Sequence, residues 1–235
     1  MTKGHLYLVP SLLGGKNYTF CMPPDYKEIL KDIKHFIVED IRTARRFLKP
    51  GGYVDSFDDI TFYLLNKHTT PEEYSAFLSA VDKGFDVALI SEAGCPCIAD
   101  PGSMIVEMAH KKNIRVMPLV GPSSIMLAMM GSGFNGQNFA FLGYLPIKPV
   151  ERIKKIKELE SYILRNNQTQ IFIETPYRNQ KLLLDIMASC SLHIKLCIAC
   201  DVTLEEEFIK TKTIAEWKKN VPDINKRQVV FLLYK

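Results

Sequence analysis

No part of this 235-residue chain offers an apolar run fit to cross a bilayer. The longest stretch without a charged residue or histidine covers residues 116–147, and Gly121-Pro122-Ser123-Ser124, Gly131-Ser132-Gly133 and Gly136-Gln137-Asn138 interrupt it. The opening Met-Thr-Lys-Gly-His leads into only a short apolar run at 6–10, without the longer apolar region of a secretory signal, so the expected location is cytoplasmic with no membrane contact. GxxxxGK[ST] is absent, which argues against a P-loop nucleotidase. Thirty Lys and Arg against 26 Asp and Glu give a net charge of +4, too small a surplus to identify a nucleic-acid partner by itself. Repeats and biased segments are missing as well.

What is present is an ordinary globular composition, 47% hydrophobic and 24% charged, enough for a sizeable core. Six cysteines (Cys21, Cys95, Cys97, Cys190, Cys197, Cys200) are read as reduced thiols, since a cytoplasmic chain of this size needs no bridges. Strand-like segments at 6–9, 36–38, 60–65, 87–91 and 115–119 alternate with helix-like segments at 26–34, 41–48, 71–83 and 101–111. That alternation implies a mostly parallel α/β sheet. After a Gly/Pro/Ser stretch the order becomes helix 122–130, strand 139–142, helix 149–164, strand 169–173 and helix 177–188. Strands at 192–200, 206–210 and 228–233 follow, with a short helix at 213–220. Strands without intervening helices imply a mixed sheet. The fold expected is therefore two α/β domains, 1–119 and 120–235, the first mostly parallel and the second mixed.

Several motifs have plain explanations. Gly131-Ser132-Gly133-Phe134-Asn135-Gly136 matches GxGxxG, but it follows a predicted helix and precedes a strand, the reverse of a dinucleotide fold; a helix cap and turn accounts for it. Cys197 and Cys200 have CxxC spacing, yet in a strand an odd separation sends them to opposite faces, and no zinc-type His pair accompanies them; no metal site is expected. Neither the five histidines (His5, His35, His68, His110, His193) nor Glu205-Glu206-Glu207 shows ligand spacing.

Three polar clusters follow strand ends. SEAGCPCIADPG (91–102) leaves an apolar strand through small residues and ends with Asp100 as expected N-cap and Pro101 as first helical residue. This is where open α/β sheets hold ligands, though a plain strand-to-helix loop fits the composition equally well. Glu39-Asp40-Ile41-Arg42 and Glu174-Thr175-Pro176-Tyr177-Arg178 also follow strands, offering carboxylates for proton handling and arginines for an anion if they converge, or simply acidic helix starts. Lys148, Arg152, Lys154, Lys155 and Lys157 form a basic run on a helix whose apolar side is Val150, Ile153, Ile156 and Leu159. It is either a solvated face or a phosphate-contacting one.

Taken in order, five segments resemble the tetrapyrrole-methylase superfamily of S-adenosylmethionine-dependent methyltransferases. Its branch that methylates a ribose 2′-oxygen in small-subunit ribosomal RNA gives the best match. SEAGCPCIADPG is similar to SDAGTPxISDPG, and VEDIRTARRFL (38–48) to AEDTRxTxxLL. VGPSSIMLAMMGSGF (120–134) is similar to PGPSAxxxALxxSG, FLGYLPIKPVER (141–152) to FxGFLPxKxxxR, and FIETPYR (172–178) to YESPHR.

The resemblance implies two α/β domains with S-adenosylmethionine in the cleft between them, a homodimer, and structured RNA of the small ribosomal subunit as partner. Cofactor contacts are expected from Pro10, Ser91, Glu92, Ala93, Gly94, Ile98, Ala99, Asp100, Ser123, Ser124, Leu142, Gly143 and Tyr144. Beside the accepting nucleotide it places Glu39, Asp40, Arg42, Glu174 and Arg178, with Glu39 or Asp40 orienting or accepting the hydroxyl proton and the arginines holding phosphates. The chain departs from the pattern in its first loop, VPSLLGG (9–15) for ATPIGN, and in Cys200-Asp201-Val202-Thr203-Leu204 for Arg-Glu-Leu-Thr-Lys, which drops two cations. A tetrapyrrole or other small acceptor, or a non-catalytic cofactor- or RNA-binding homologue, stays open as the alternative.

Overall fold

The computed structural model describes residues 3–54, 56–66 and 69–235, so His68 lies outside the described residues. The chain divides into two compact units, Met1–Ser123 and Ser124–Lys235. The sequence reading set the junction at 119/120. Residues 120–122 stay with the first unit because the Tyr26 hydroxyl donates to the Val120 carbonyl (2.8 Å) and the Cys95 thiol to that of Pro122 (3.5 Å).

In the first unit the order is β1 (His5–Val9), α1 (Tyr18–Cys21), α2 (Tyr26–Leu30), β2 (His35–Val38), α3 (Ile41–Leu48), β3 (Thr61–Leu64), α4 (Pro71–Phe77), α5 (Ser79–Asp82), β4 (Val87–Ile90), α6 (Ser103–Lys111) and β5 (Arg115–Pro118). All its strand pairs are parallel, in the order β3-β2-β4-β1-β5. Strand β4 reads Val-Ala-Leu-Ile because both of its faces are covered. Ala88 and Ile90 join Tyr26, Leu30 and Phe47 on one face, while Val87 and Leu89 join Ile105 and Ala109 on the other. The helices after β1 thus pack on one face and the helix after β4 on the opposite face. Between these neighbouring strands the carboxyl ends form a topological switch point, the usual ligand crevice of an open α/β sheet.

The second unit runs α7 (Ser124–Ser132), β6 (Phe139–Tyr144), α8 (Pro149–Asn166), β7 (Thr169–Ile173), a 3-10 turn (Pro176–Arg178), α9 (Asn179–Ser189), β8 (Lys195–Cys200), β9 (Phe208–Thr213), α10 (Ile214–Lys219) and β10 (Val229–Tyr234). Its sheet is mixed, in the order β6-β7-β10-β8-β9, with β6 and β7 parallel and the other pairs antiparallel. Ile156, Leu159 and Ile163 of α8 and Leu182, Leu183 and Ile186 of α9 bury one face against Phe172, Leu196, Ile198 and Phe231. Helix α7 lies against β8, β9 and β10. Gly133 takes a left-handed turn (φ 72°) just after α7, the cap expected of that glycine. Cys200 faces the α8/α9 core and Cys197 the opposite side; burial pushes the Cys200 thiol up to about 12.

Some local expectations are corrected. Asp100 is not a helix N-cap and Pro101 is not the first helical residue: α6 begins at Ser103 with Gly102 as its cap. The Asp100 carboxylate instead accepts from Cys97 N (2.7 Å) and Gly102 N (2.8 Å), closing its own loop. The helix expected at 71–83 is two short helices that meet at Leu78 (φ −90°, ψ 0°). Val150 is 81% exposed in the first turn of α8 and is no part of its apolar side.

Arg152 leaves the basic run altogether. Buried in the second unit, it donates from Nε to Asp185 (2.7 Å) and from Nη1 to the Ile147 carbonyl (2.6 Å). Removing one partner of such a pair strands the other charge. Arg152→Ala is expected to destabilise the second unit by about 3–5 kcal/mol, read as a lower urea midpoint; a midpoint equal to wild type would show the pair to be dispensable. Among the described residues no helix is long and apolar enough to cross a membrane.

Candidate functional site

At the switch point two loops are tied together. Ser11, two residues beyond β1, donates its N–H to the Gly94 carbonyl (3.0 Å), and Gly94 returns the bond to the Ser11 carbonyl (3.2 Å). The Ser91 hydroxyl also donates to the Gly94 carbonyl. Gly94 has φ +78°, a conformation that side chains rarely accept. Pro10 is buried, and a Cβ on Gly121 would lie 2.4 Å from its ring, so the 120–122 segment closes on the first loop only through a glycine.

The rest of the loop after β4 turns outward. Glu92, Ala93, Ile98 and Ala99 are exposed, and Cys97 and Ala99 adopt left-handed backbone (φ 68° and 62°). Two non-glycine residues in that region are strained positions that the Asp100 carboxylate holds by gripping the backbone on either side. The cost of burying Asp100 outweighs those two bonds, and its carboxyl titrates above the usual range. Exposed polar and apolar residues on a tightly tied frame suit a ligand with both polar and apolar parts.

Glu39, at the end of β2, is half-buried. Burial first, then the neighbouring Asp100 and Glu92, lift its pKa above the ordinary glutamate value. Asp40 behaves differently: it is the N-cap of α3, accepting from Thr43 N at 2.8 Å, and that bond holds its pKa down. Of the two candidate bases only Glu39 has a carboxylate without a helix to cap and a pKa moved toward neutrality. Arg42 is exposed in the first turn of α3, whereas Arg45 is occupied over the Phe57 ring at 5.2 Å.

A cavity of about 330 Å³ opens beside this frame, lined among others by Ser11, Ser91, Thr43, Arg46 and Phe47. The Ser11 hydroxyl is buried there and finds no partner among the described residues. Sequence reasoning missed Ser11, Thr43 and Arg46. The available signal was helical phase: counted from the Asp40 cap, residues 43, 46, 47 and 50 share one face of α3 and its extension.

In the second unit Glu174 and Arg178 follow β7, on a different sheet from the one that carries Glu39 and the loop after β4. Glu174 is buried; one carboxylate oxygen accepts from Arg178 Nη2 (2.6 Å) and Thr175 N (2.7 Å). That bond to Glu174 keeps the guanidinium firmly charged. The second Glu174 oxygen and Arg178 Nε have no partner among the described residues. Glu174 therefore orients Arg178 rather than facing solvent as a base. Strand β6 bulges between Phe141 and Tyr144 around Gly143 (φ 66°), which re-aims Tyr144 outward, while the Leu142 side chain packs on the core. Ser123 and Ser124 are partly exposed at the end of one unit and the start of the other. The turn 201–204, which lost two cations relative to the resembled pattern, is gripped by Arg227, whose Nε donates to Asp201 (2.6 Å).

No family profile matches the chain. Its sequence is 28% identical over 235 residues to "Ribosomal RNA small subunit methyltransferase I" of Buchnera aphidicola, spanning 98% of this chain and 78% of that protein. Its fold matches the methyltransferase CobJ at a TM-score of 0.65 and 15% identity, over 99% of this chain and 94% of that one. It also matches uroporphyrin-III C-methyltransferase of Thermus thermophilus in complex with S-adenosylhomocysteine, with TM-score 0.56, 11% identity, 99% and 98%. The two-unit fold, the tied loops at the switch point and these likenesses agree on one class: the chain is an S-adenosylmethionine-dependent methyltransferase with a fold like that of the tetrapyrrole methylases. Within that class its sequence relatives lie on the branch of the ribosomal RNA small subunit methyltransferases I.

The raised Glu39 pKa has a thermodynamic consequence. Between the ordinary glutamate pKa and its own, the folded protein binds more protons at Glu39 than the unfolded chain does, so stability falls as pH rises through that window. Glu39→Gln removes this component, and the variant should gain on wild type as pH goes from acid to neutral. Urea unfolding across that range checks it; parallel pH curves would refute the assignment.

Proposed function

We propose that the chain transfers the methyl group of S-adenosylmethionine to a ribose 2′-hydroxyl of small-subunit ribosomal RNA. The observation that carries the reading is the tied frame at the β1/β4 switch point, with its exposed loop residues, its Ser11 hydroxyl without a partner among the described residues and the raised Glu39 carboxyl beside it. In this reading Pro10, Ser91–Gly94 and Ile98–Asp100 hold the cofactor from the first unit, and Ser123, Ser124 and Leu142–Tyr144 complete its contacts. The site fits the group: exposed Ala93 and Ile98 present apolar surface, and the buried Ser11 hydroxyl has no partner among the described residues. When bound, S-adenosylmethionine supplies an activated methyl on a positively charged sulfur.

The chain's own residues then have to align the acceptor, exclude water and take up a proton. Glu39 is the group to accept the hydroxyl proton, since its carboxyl already holds protons more tightly than an ordinary glutamate. Asp40 fixes the start of α3 and hence the position of Arg42. Arg42 and Arg178 hold phosphates, Arg178 in the orientation Glu174 imposes. We carry with this reading a cytoplasmic site of action and a homodimer, for which light scattering should return twice the chain mass.

Two assays test the proposal. Calorimetry should show S-adenosylmethionine binding to wild type and to Glu39→Gln alike. Radiolabelled methyl transfer to small subunits from a strain without the native activity should proceed with wild type and fall by about 10²-fold or more with Glu39→Gln. Transfer to a tetrapyrrole instead of RNA would overturn the acceptor, and absence of cofactor binding would overturn the whole reading.

A further inference from the structure

In the second unit a groove of about 690 Å³ runs along α8 beside β6, the open edge strand of its sheet. Ala140 and Leu142 of β6 and Leu159 of α8 line it with apolar atoms, and Gln168 and Gln170 offer amides. Along its helical wall Lys154, Lys157, Ser161 and Arg165 recur at helical spacing, a row about 16 Å long at the rise of an α-helix. Lys155 is paired with Glu158, the one carboxylate in the lining, at 3.9 Å. The other α8 acids point to other tasks: Glu151 pairs with Lys148 and Glu160 accepts from Ser191 N. The sequence had marked a basic run, but the structure removes Arg152 to the core, leaves Lys148 outside the groove and adds Arg165, so Lys154, Lys155, Lys157 and Arg165 share one groove. Tyr162, 46% exposed, stands in the same wall.

We infer that this groove binds the phosphodiester backbone of a single-stranded RNA segment, with Lys154, Lys157 and Arg165 on phosphates and Tyr162 stacking a base. The inference rests on the RNA acceptor proposed above and adds to it a contact surface outside the reacting centre. A row of cations facing a groove with an aromatic ring and side-chain amides is the chemistry of single-strand recognition: charge tracks the backbone, and a ring accepts any base. An open cleft with apolar atoms at its floor keeps the strand seated without reading its sequence.

The test compares wild type with Lys154→Gln/Lys157→Gln/Arg165→Gln and with a charge-matched control, Lys31→Gln/Lys111→Gln/Lys148→Gln, whose lysines pair with Glu28, Glu107 and Glu151 outside the groove. Anisotropy of a fluorescent uridine homopolymer is followed as a function of KCl. Losing three phosphate contacts should lower the salt slope by about 2, at roughly 0.7 per contact on a single strand, while the control keeps the wild-type slope. The groove variant should also raise KM for small subunits and leave kcat and cofactor affinity unchanged. Tyr162→Leu should weaken homopolymer binding without altering the slope. An unchanged slope in the groove variant, an equal loss in the control, or a change of oligomeric mass on removing the groove cations would overturn the inference, the last by giving the groove to a second copy of the chain. Homopolymer binding is read without methyl transfer, so failure of the proposed reaction and failure of this surface give separate results.

Discussion

Two hydrogen bonds between Ser11 and Gly94 govern the candidate site. They join the loop that leaves β1 to the loop that leaves β4, where the flanking helices part to opposite faces of a parallel sheet. Main chain in such a crevice must satisfy its polar groups in some way. Here the Ser11 and Gly94 groups satisfy each other, and Glu92, Ala93, Ile98 and Ala99 of the same loop stay exposed. Only glycine tolerates φ +78° at position 94 without strain, and only glycine at 121 lets the next segment close on Pro10.

From that frame the electrostatics follow. Glu39 ends the strand beside β4, so it cannot avoid Glu92 and Asp100, and partial burial adds to the mutual repulsion. The adjacent Asp40 escapes the same fate because the first turn of α3 offers it an N–H. Two neighbouring carboxylates are thereby separated into one that holds its proton more tightly and one that caps a helix, by nothing more than which one faces a helix end. In the second unit the division of labour is between Glu174, which is buried, and Arg178, which it aims.

The alternation of strands and helices was legible from the sequence because buried parallel strands must be apolar on both faces; His35–Val38 and Val87–Ile90 are such runs. The loop 91–102 stood out in sequence through its small residues and its place after an apolar strand, a composition that a plain strand-to-helix loop fits equally well, and only its resemblance to a methylase motif favoured the ligand reading. What escaped depends on tertiary contacts. Asp100 has the residue type and position of an N-cap, yet its carboxylate serves the loop behind it. Arg152 sits among lysines in sequence and differs from them only through Asp185, 33 residues away. Ser11 carries no signal until the first loop and α3 are seen to face one cavity, and helical phase groups Arg46 with Thr43 and Phe47 without saying what they face. Periodicity reports which face a residue occupies; it does not report what waits on that face.

The claim on which the account turns is that the loop joined to Ser11 at Gly94 is the wall that receives the methyl donor. Backbone amide shifts of the isotopically labelled protein, followed during titration with S-adenosylhomocysteine, test it residue by residue. The account predicts saturable shifts concentrated at residues 91–100 and at Pro10's neighbours, with Lys154, Lys157 and Arg165 of α8 unmoved. Binding that leaves 91–100 unperturbed, or no binding at all, would contradict it.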